Sequence, residues 1–286
     1  MSPMPTSLMK DMPDADFRRF RDLIYDQCGI NLTSVKKTML TSRLRKRVRA
    51  LGMDSFGEYY TYVMHSAESS QELLRMLDAV TTNKTDFFRE PTHFDYLKNA
   101  VLPAFVQEGR WRRGRKLNLW SAACSTGEEP YSMAMVVADY ASRYSGGDFS
   151  VLASDLSTEV LETARRAIYP EEAVRPVPHD LRRAYLMRGV GSKTGYCRVV
   201  PELRKQVSFR RVNLNSREVG EMRVPMDIIF CRNVVIYFDR ETQKKLFEEI
   251  YHCLLPGGYL FIGHSESLHG ISDRFESVAG ATYRKP

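Results

Sequence analysis

Two adjacent carboxylates open a helix directly after a tight bend. The stretch WSAACSTGEEPYS, residues 120–132, follows the apolar run KLNLW and leads into EEPYSMAMVVADYASRY, which has helical apolar spacing. A dinucleotide fold carries Gly-x-Gly-x-x-Gly at such a bend, and its bare amides meet a pyrophosphate. Here the small residues are Ala122, Ala123, Ser125 and Gly127, and the acids Glu128 and Glu129 follow them. Carboxylates repel a pyrophosphate and attract a cation. The ligand class this favours is a nucleoside with a positively charged tail.

Three other strand-like runs end on groups suited to the same ligand. FSVLASD ends at Asp155, where an acid accepts hydrogen bonds from ribose hydroxyls. VSFRRVNL ends on Asn213 and Leu214, a polar group and an apolar wall for a purine. MDIIFCRN ends on Cys231, Arg232 and Asn233, with Tyr237 one turn later. A lone Asp at a strand end is more often a cap than a ligand, so the joint set carries the reading. That set fits S-adenosylmethionine, which brings a sulfonium and an ammonium, better than it fits NAD. No metal-ligand spacing accompanies it.

The elements that must position these groups alternate. From Leu117 onward strand and helix patterns succeed each other, which implies a parallel sheet with crossovers, and ligands of such sheets sit outside the carboxyl ends of the strands. STEVLETARRAIY reads as a helix capped by Ser157. Residues 170–206 interrupt the alternation with prolines and with glycines 189, 191 and 195, the signature of a hairpin in a small inserted antiparallel subdomain. After RETQKKLFEEIYHCLL, PGG leads into YLFIG, and RFESVAGATYRKP reads as a terminal hairpin. Residues 14–80 show helical spacing throughout. The expected fold is α/β: an N-terminal all-helical domain over 1–84, then a Rossmann-like domain over 85–286 containing the insertion.

The chain of 286 residues carries a formal net charge of +7. No acidic residue lies between Asp26 and Asp54, while Lys36, Lys37, Arg43, Arg45, Lys46, Arg47 and Arg49 fall on one stretch. Its apolar residues Met39, Leu40, Leu44, Val48 and Leu51 recur at helical spacing, so the positive charges are expected on a broad exposed face. A charge run is usually a solvated face, but the missing acids point to docking on something anionic. Cys28, Cys124, Cys197, Cys231 and Cys253 contain no Cys-x-x-Cys pair, which argues against a zinc site and a disulfide framework. No apolar run approaches the ~20 residues of a membrane span, and the first residues lack a signal-peptide core. A reducing cytoplasm is the expected location.

The motifs TTNKTDFFRE, AACSTGEEPYS, ASDLSTEVLETAR, VNL, MDIIFCRNVVIYF and GHSE together resemble the chemotaxis receptor glutamate O-methyltransferases, the CheR family. The resemblance runs from about Asp16 through the final hairpin. It implies methyl transfer from S-adenosylmethionine to glutamate side chains on receptor helices, with S-adenosylhomocysteine as product. By position it implies cofactor contacts at Asn83, Thr85, Arg89, Glu129, Asp155, Asn213, Leu214, Arg232 and Asn233, with Tyr237 near the transferred methyl. Arg89 and Tyr237 are the expected catalytic pair. Arg89 would hold the cofactor carboxylate in preference to the incoming glutamate, and Tyr237 would orient a carboxylate oxygen or line the methyl's path. The basic helix would face the receptor through Arg43, Lys46, Arg47 and Arg49. Some members also dock a receptor tail peptide on the inserted strands. A monomer is expected, with neither nucleic acid nor inserted membrane as partner.

Competing readings lack their residues. GHSES ends in Ser where the nucleophile elbow of a hydrolase needs Gly. A nucleic-acid methyltransferase would carry Asn/Asp-Pro-Pro-Tyr/Phe where this chain has CRNVVIYF. A cofactor-binding scaffold without activity would show degraded motifs, and none is degraded. His93 and His252 are expected to be packing or surface residues, Cys124 and Cys231 small buried side chains, and Arg110, Arg112, Arg113, Arg115 and Lys116 a solvated loop.

Overall fold

The computed structural model describes residues 11–144, 147–221 and 224–286. It divides into two compact units, one running to Thr82 and including Tyr237–Asp239, the other comprising Asn83–Ile236 and Arg240–Pro286.

The first unit is helical: α1 (Asp14–Cys28), α2 (Lys37–Ala50), α3 (Phe56–His65) and α4 (Ser69–Val80). Helix α1 stops at Gly29, whose left-handed backbone (φ 74°) lets its N–H reach the Tyr25 carbonyl at 2.8 Å. Helix α3 starts at Ser55, whose hydroxyl accepts the Glu58 N–H at 3.1 Å while Glu58 reaches back to the Asp54 N–H at 3.0 Å. Leu40, Leu44 and Val48 of α2 fall one turn apart and are fully buried, as are Phe20, Ile24, Tyr59 and Met76. The segment 237–239 joins this unit: Phe238 pairs with Ile30, and Asn31 N–H donates to the Tyr237 carbonyl at 2.8 Å.

In the second unit α5 (Pro91–Tyr96) and α6 (Leu102–Gln107) are joined by a π turn at Leu97–Val101, next to Pro103, which has no N–H for a regular helical bond. There follow β1 (Leu117–Ala122), α7 (Glu128–Tyr144), β2 (Phe149–Asp155), α8 (Thr158–Arg166), β3 (Ile168–Pro170), α9 (His179–Tyr185), β4 (Leu186–Arg188), β5 (Tyr196–Val199), α10 (Pro201–Arg204), β6 (Val207–Arg211), β7 (Met226–Cys231), α11 (Arg240–Cys253), β8 (Leu254–Ile262), β9 (Glu276–Ala279) and β10 (Thr282–Arg284). The main sheet has the order β6-β2-β1-β7-β8-β10-β9. Its first five strands are parallel, and β10 and β9 close it antiparallel. Strands β3, β5 and β4 form the separate small antiparallel sheet, so the expected α/β architecture with its inserted strands is the one observed.

Strand order reverses between β1 and β7, whose last residues pair as Ala122 and Cys231. All of β7 is buried, as a central parallel strand covered on both faces must be. Its one charge, Asp227, accepts the Asn118 N–H at 3.0 Å and faces Arg110 at 3.6 Å. Arg110 therefore departs from the expected solvated loop. Its side chain is mostly buried and lies 4.5 Å over the Phe105 ring, because a buried carboxylate needs a cation. No helix of the described residues is long and apolar enough to cross a membrane.

Candidate functional site

The bend after β1 is held in conformations that side chains rarely adopt. Ala123, Ser125 and Gly127 have φ of 62°, 49° and 97°. Strain of this kind persists only where surrounding bonds enforce it. Ser125 N–H donates to Asp155 Oδ2 at 2.8 Å, and its hydroxyl donates to the Asn83 carbonyl at 2.8 Å. Asp155 Oδ1 takes the Ser157 N–H at 2.9 Å. One buried acid at the end of β2 thus joins the bend to the start of α8, and the bend to the 83–90 loop follows through Ser125. A Cβ on Gly127 would stand 2.8 Å from that of Ala164 and 2.9 Å from the Tyr169 hydroxyl, so only glycine lets the bend lie this close to α8.

The two acids of α7 are both largely buried and both bonded. Thr126 Oγ1 donates to Glu128 Oε2 at 2.6 Å, and Ser121 Oγ donates to Glu129 Oε1 at 2.7 Å. Burial raises the Glu128 carboxyl above its ordinary pKa against the Thr126 bond. Burial also raises that of Glu129, and the charge and hydrogen bond of Arg232 oppose it.

Arg232, at the end of β7, is the node of the site. Its guanidinium is 1% exposed and donates to Glu129 Oε2 at 3.0 Å, to Glu90 Oε2 at 2.9 Å and to the Arg89 carbonyl. Its Nε has no partner among the described residues. Asn233, at φ 58°, donates from Nδ2 to Glu90 Oε1 at 3.1 Å. Burial works against charge on Glu90, yet the Asn233 and Arg232 bonds hold its pKa down to about 2. From the loop after β8, Glu266 accepts four backbone N–H groups: Gly263 at 2.6 Å, Asn233 at 2.9 Å, Val235 at 3.0 Å and Ile236 at 3.3 Å. A Cβ on Gly263 would lie 2.6 Å from Asn233 Nδ2 and 2.8 Å from Glu266 Oε2, so a larger residue there would have to displace both side chains.

His93 lies beneath this node, buried, against Phe230, Phe261 and His264. Glu90, His93 and His264 bring three potential metal-ligand atoms within 4.8 Å of one another. The Glu90 oxygen facing His93 is the one bound by Arg232, so a guanidinium already supplies positive charge at that point. Burial and then the Arg232 charge lower the His93 pKa to about 4. An unfolded His takes a proton near pH 6.5 and the folded one only near 4, so stability is expected to fall as pH drops through that interval. The shift is worth roughly 3 kcal/mol at about 1.4 kcal/mol per unit. Glu90, an acid held low, extends the loss between about 4.5 and 2. Urea midpoints across pH 4–7 check this: His93→Gln should flatten the slope in the upper interval, and an unchanged slope would reject the assignment.

The structure brings expected cofactor residues into two bonded groups: Asn83 and Asp155 meet through Ser125, and Glu129, the Arg89 carbonyl and, through Glu90, Asn233 meet around Arg232. Arg89 NH1 donates to the Lys84 carbonyl at 3.0 Å, which keeps it within the 83–90 loop beside half-buried Thr85. Asn213 and Leu214 follow β6 next to Asp155, whose carbonyl takes the Val212 N–H at 3.1 Å. Asn213 Oδ1 accepts the Asn215 N–H at 3.0 Å, so its side chain shapes its own turn. Tyr237 belongs to the helical unit. Glu90 and Glu266 are bonded members of the site that the strand-end reading passed over, and Ser121 and Ser125 of the bend bond into it as well. The acids closing FFRE and GHSE were the available signal.

The basic helix α2 differs from the expected uniformly exposed charge. Arg43 donates to the carbonyls of Val80 and Thr81 and to Thr82 Oγ1, closing the end of α4. Arg47 makes a two-pronged bond to Glu72 at 3.0 and 2.6 Å, and Glu72, 2% exposed, also accepts the Tyr59 hydroxyl at 2.8 Å. Both arginines flank the buried Leu44–Val48 stripe and satisfy groups inside the unit. Lys46 and Arg49 are exposed and have no ion-pair partner among the described residues.

The family described as "CheR methyltransferase, SAM binding domain" matches residues 83–284, and "CheR methyltransferase, all-alpha domain" matches residues 15–81. A chemotaxis protein methyltransferase of Salmonella typhimurium is 43% identical, covering 95% of this chain and 90% of its own length. One from Escherichia coli is 42% identical over 92% of this chain and 88% of its own. Chemotaxis protein methyltransferase 2 of Pseudomonas aeruginosa is 40% identical over 94% and 92%.

Proposed function

Since the chain belongs to the CheR methyltransferase family, we propose that the crevice at the ends of β1, β2, β6 and β7 holds S-adenosylmethionine and presents its methyl to receptor glutamates. The enzyme methylates chemotaxis receptors with S-adenosylmethionine as donor. The observation that carries the site assignment is the acid pair at the bend: Glu128 and Glu129 open α7 where a pyrophosphate site would present bare amides, and Asp155 ends β2 beside them at the ribose position. An acid-rich bend fits a cationic nucleoside.

When bound, the cofactor supplies an electrophilic methyl on a sulfonium. Asp155 receives the ribose hydroxyls while its backbone bonds keep the bend in shape. Leu214 walls the purine and Asn213 offers it a polar edge. Glu129 faces the cationic tail, its charge held in place by Arg232 and Ser121. Arg89 takes the cofactor carboxylate, with Asn83 and Thr85 lining the same loop and Asn233 closing the opposite side. Tyr237 orients the acceptor oxygen or lines the methyl's path. The acceptor glutamate has an ordinary pKa of about 4.3 and is ionised at neutral pH, so no side chain here has to take a proton. The protein's task is alignment and exclusion of water. The reaction is proposed to run without metal, in a cytoplasmic monomer, and a receptor tail peptide is a proposed guest of the β3-β5-β4 sheet.

Calorimetry with a chelator present tests this reading. Submicromolar to micromolar binding of S-adenosylmethionine and its demethylated product is expected, and binding that vanishes on chelation would sink the metal-free mechanism. Asp155→Ala should weaken both ligands by about 1–3 kcal/mol, since it removes a charge-assisted acceptor. For receptor docking, Lys46→Glu with Arg49→Glu should lower receptor methylation about tenfold at low ionic strength, less at high salt, with cofactor affinity unchanged. Methylation equal to wild type at both salts would remove α2 from the docking surface.

A further inference from the structure

We propose that Glu266 is a positioning residue for methyl transfer: it holds residues 233–236, the segment that presents Asn233 and leads into Tyr237, in the conformation the reaction requires. The inference rests on the cofactor reading above and deepens it, because it adds a residue that acts through the backbone of others.

The turn after β7 has little support of its own. Asn233 stands at φ 58°, a left-handed conformation that asparagine tolerates without preferring it. The N–H groups of Asn233, Val235 and Ile236 all donate to one acceptor, the Glu266 carboxylate. Its oxygens share the donors evenly: Oε2 takes Gly263 and Asn233, and Oε1 takes Val235 and Ile236. Val235 is 3% exposed and Glu266 8%, so water is a poor substitute for either partner. Glu266 is itself fixed from β8. Its N–H donates to the Gly263 carbonyl at 2.9 Å, and the Gly263 N–H returns to Oε2 at 2.6 Å. Gly263 follows Ile262, which pairs with Cys231 at the end of β7. One carboxylate thus ties the turn after β7 to the end of the neighbouring strand.

These bonds need a carboxylate. Glutamine keeps the size but has one acceptor oxygen, so two of the four N–H groups would face an amide donor. The turn then relaxes, and a misplacement of about 1 Å can cost about a hundredfold in rate. Cofactor binding should suffer less. Of the proposed cofactor contacts only Asn233 lies in this turn, and its side chain keeps the bond to Glu90 at 3.1 Å. A merely structural role predicts a different pattern: lower stability, with normal turnover in the molecules that remain folded.

The experiment compares the full chain as wild type, Glu266→Gln and Glu266→Ala. It reads kcat for receptor methylation at saturating substrates, S-adenosylhomocysteine affinity by calorimetry, and urea midpoints. In folded Glu266→Gln, kcat is expected to fall at least about tenfold while S-adenosylhomocysteine affinity stays within about threefold of wild type. In Glu266→Ala, formate at constant ionic strength is expected to restore turnover saturably, by supplying the missing carboxylate, and to leave wild type unchanged. A kcat within about twofold of wild type in folded Glu266→Gln overturns the proposal, and so does an equal fall in kcat and in affinity. If Glu266→Gln does not fold, Glu266→Ala purified in formate decides. Turnover that follows formate at constant S-adenosylhomocysteine affinity supports the proposal, and turnover indifferent to formate overturns it. If wild type neither binds the cofactor nor methylates, the cofactor reading fails and takes this proposal with it; a wild type competent in both leaves the variants alone to judge it.

Discussion

Arg232→Met is expected to destabilise the methyltransferase unit by ~3–5 kcal/mol and to cut cofactor affinity at least tenfold. The cost comes from the two carboxylates left behind, since removing one partner of a buried ion pair strands the other in a poor solvent. Here it strands two, Glu90 and Glu129, and also frees the Arg89 carbonyl. Adding Glu90→Gln should recover part of the loss, because one of the stranded charges is then gone. Urea denaturation of the single and double variants measures this as a coupling energy. A single variant within about 1 kcal/mol of wild type would mean that the node is far wetter than its burial implies.

Arg47→Glu should destabilise the helical unit by ~3–5 kcal/mol, because it sets a carboxylate against Glu72 where a two-pronged cation stood. Far-UV circular dichroism in urea reads the loss, and Glu72→Gln in the same chain should relieve much of it. Cofactor affinity of the folded fraction should stay near wild type. The exposed pair Lys46 and Arg49 should tolerate charge reversal within about 0.5 kcal/mol. A charge-reversal test of receptor docking at Arg43 and Arg47 would thus report on folding as much as on docking. Stability unchanged in Arg47→Glu would mean that the Glu72 bond contributes nothing.

Much of the fold is legible because alternation of strand and helix leaves a period in the sequence. The bend after β1 announces itself through small residues and the adjacent acids. Asp155 is legible by the same rule, as the last residue of its strand. What the period cannot show is which residues from distant segments share one bond. Glu90 and Arg232 are separated by 142 positions, and only folding reveals that they meet. The roles of Arg43 and Arg47 were hidden for a related reason. Spacing places them beside the apolar stripe of α2, yet the groups they satisfy, the end of α4 and Glu72, come from another helix. Tyr237 was read as a continuation of β7, one turn on. Its segment packs with the helical unit, through backbone bonds to residues 30 and 31 that no side-chain pattern signals.

The central claim is that carboxylates on a receptor receive a methyl from S-adenosylmethionine, and base-lability of the product tests it most directly. The enzyme is incubated with methyl-labelled S-adenosylmethionine and receptor-bearing membranes, and the labelled protein is then treated with alkali. Label released as volatile methanol, dependent on the enzyme and reduced at least tenfold in Arg89→Ala, is the result expected of a glutamate methyl ester. Label that stays on protein or nucleic acid through alkali, or methanol release undiminished in Arg89→Ala, would contradict the account.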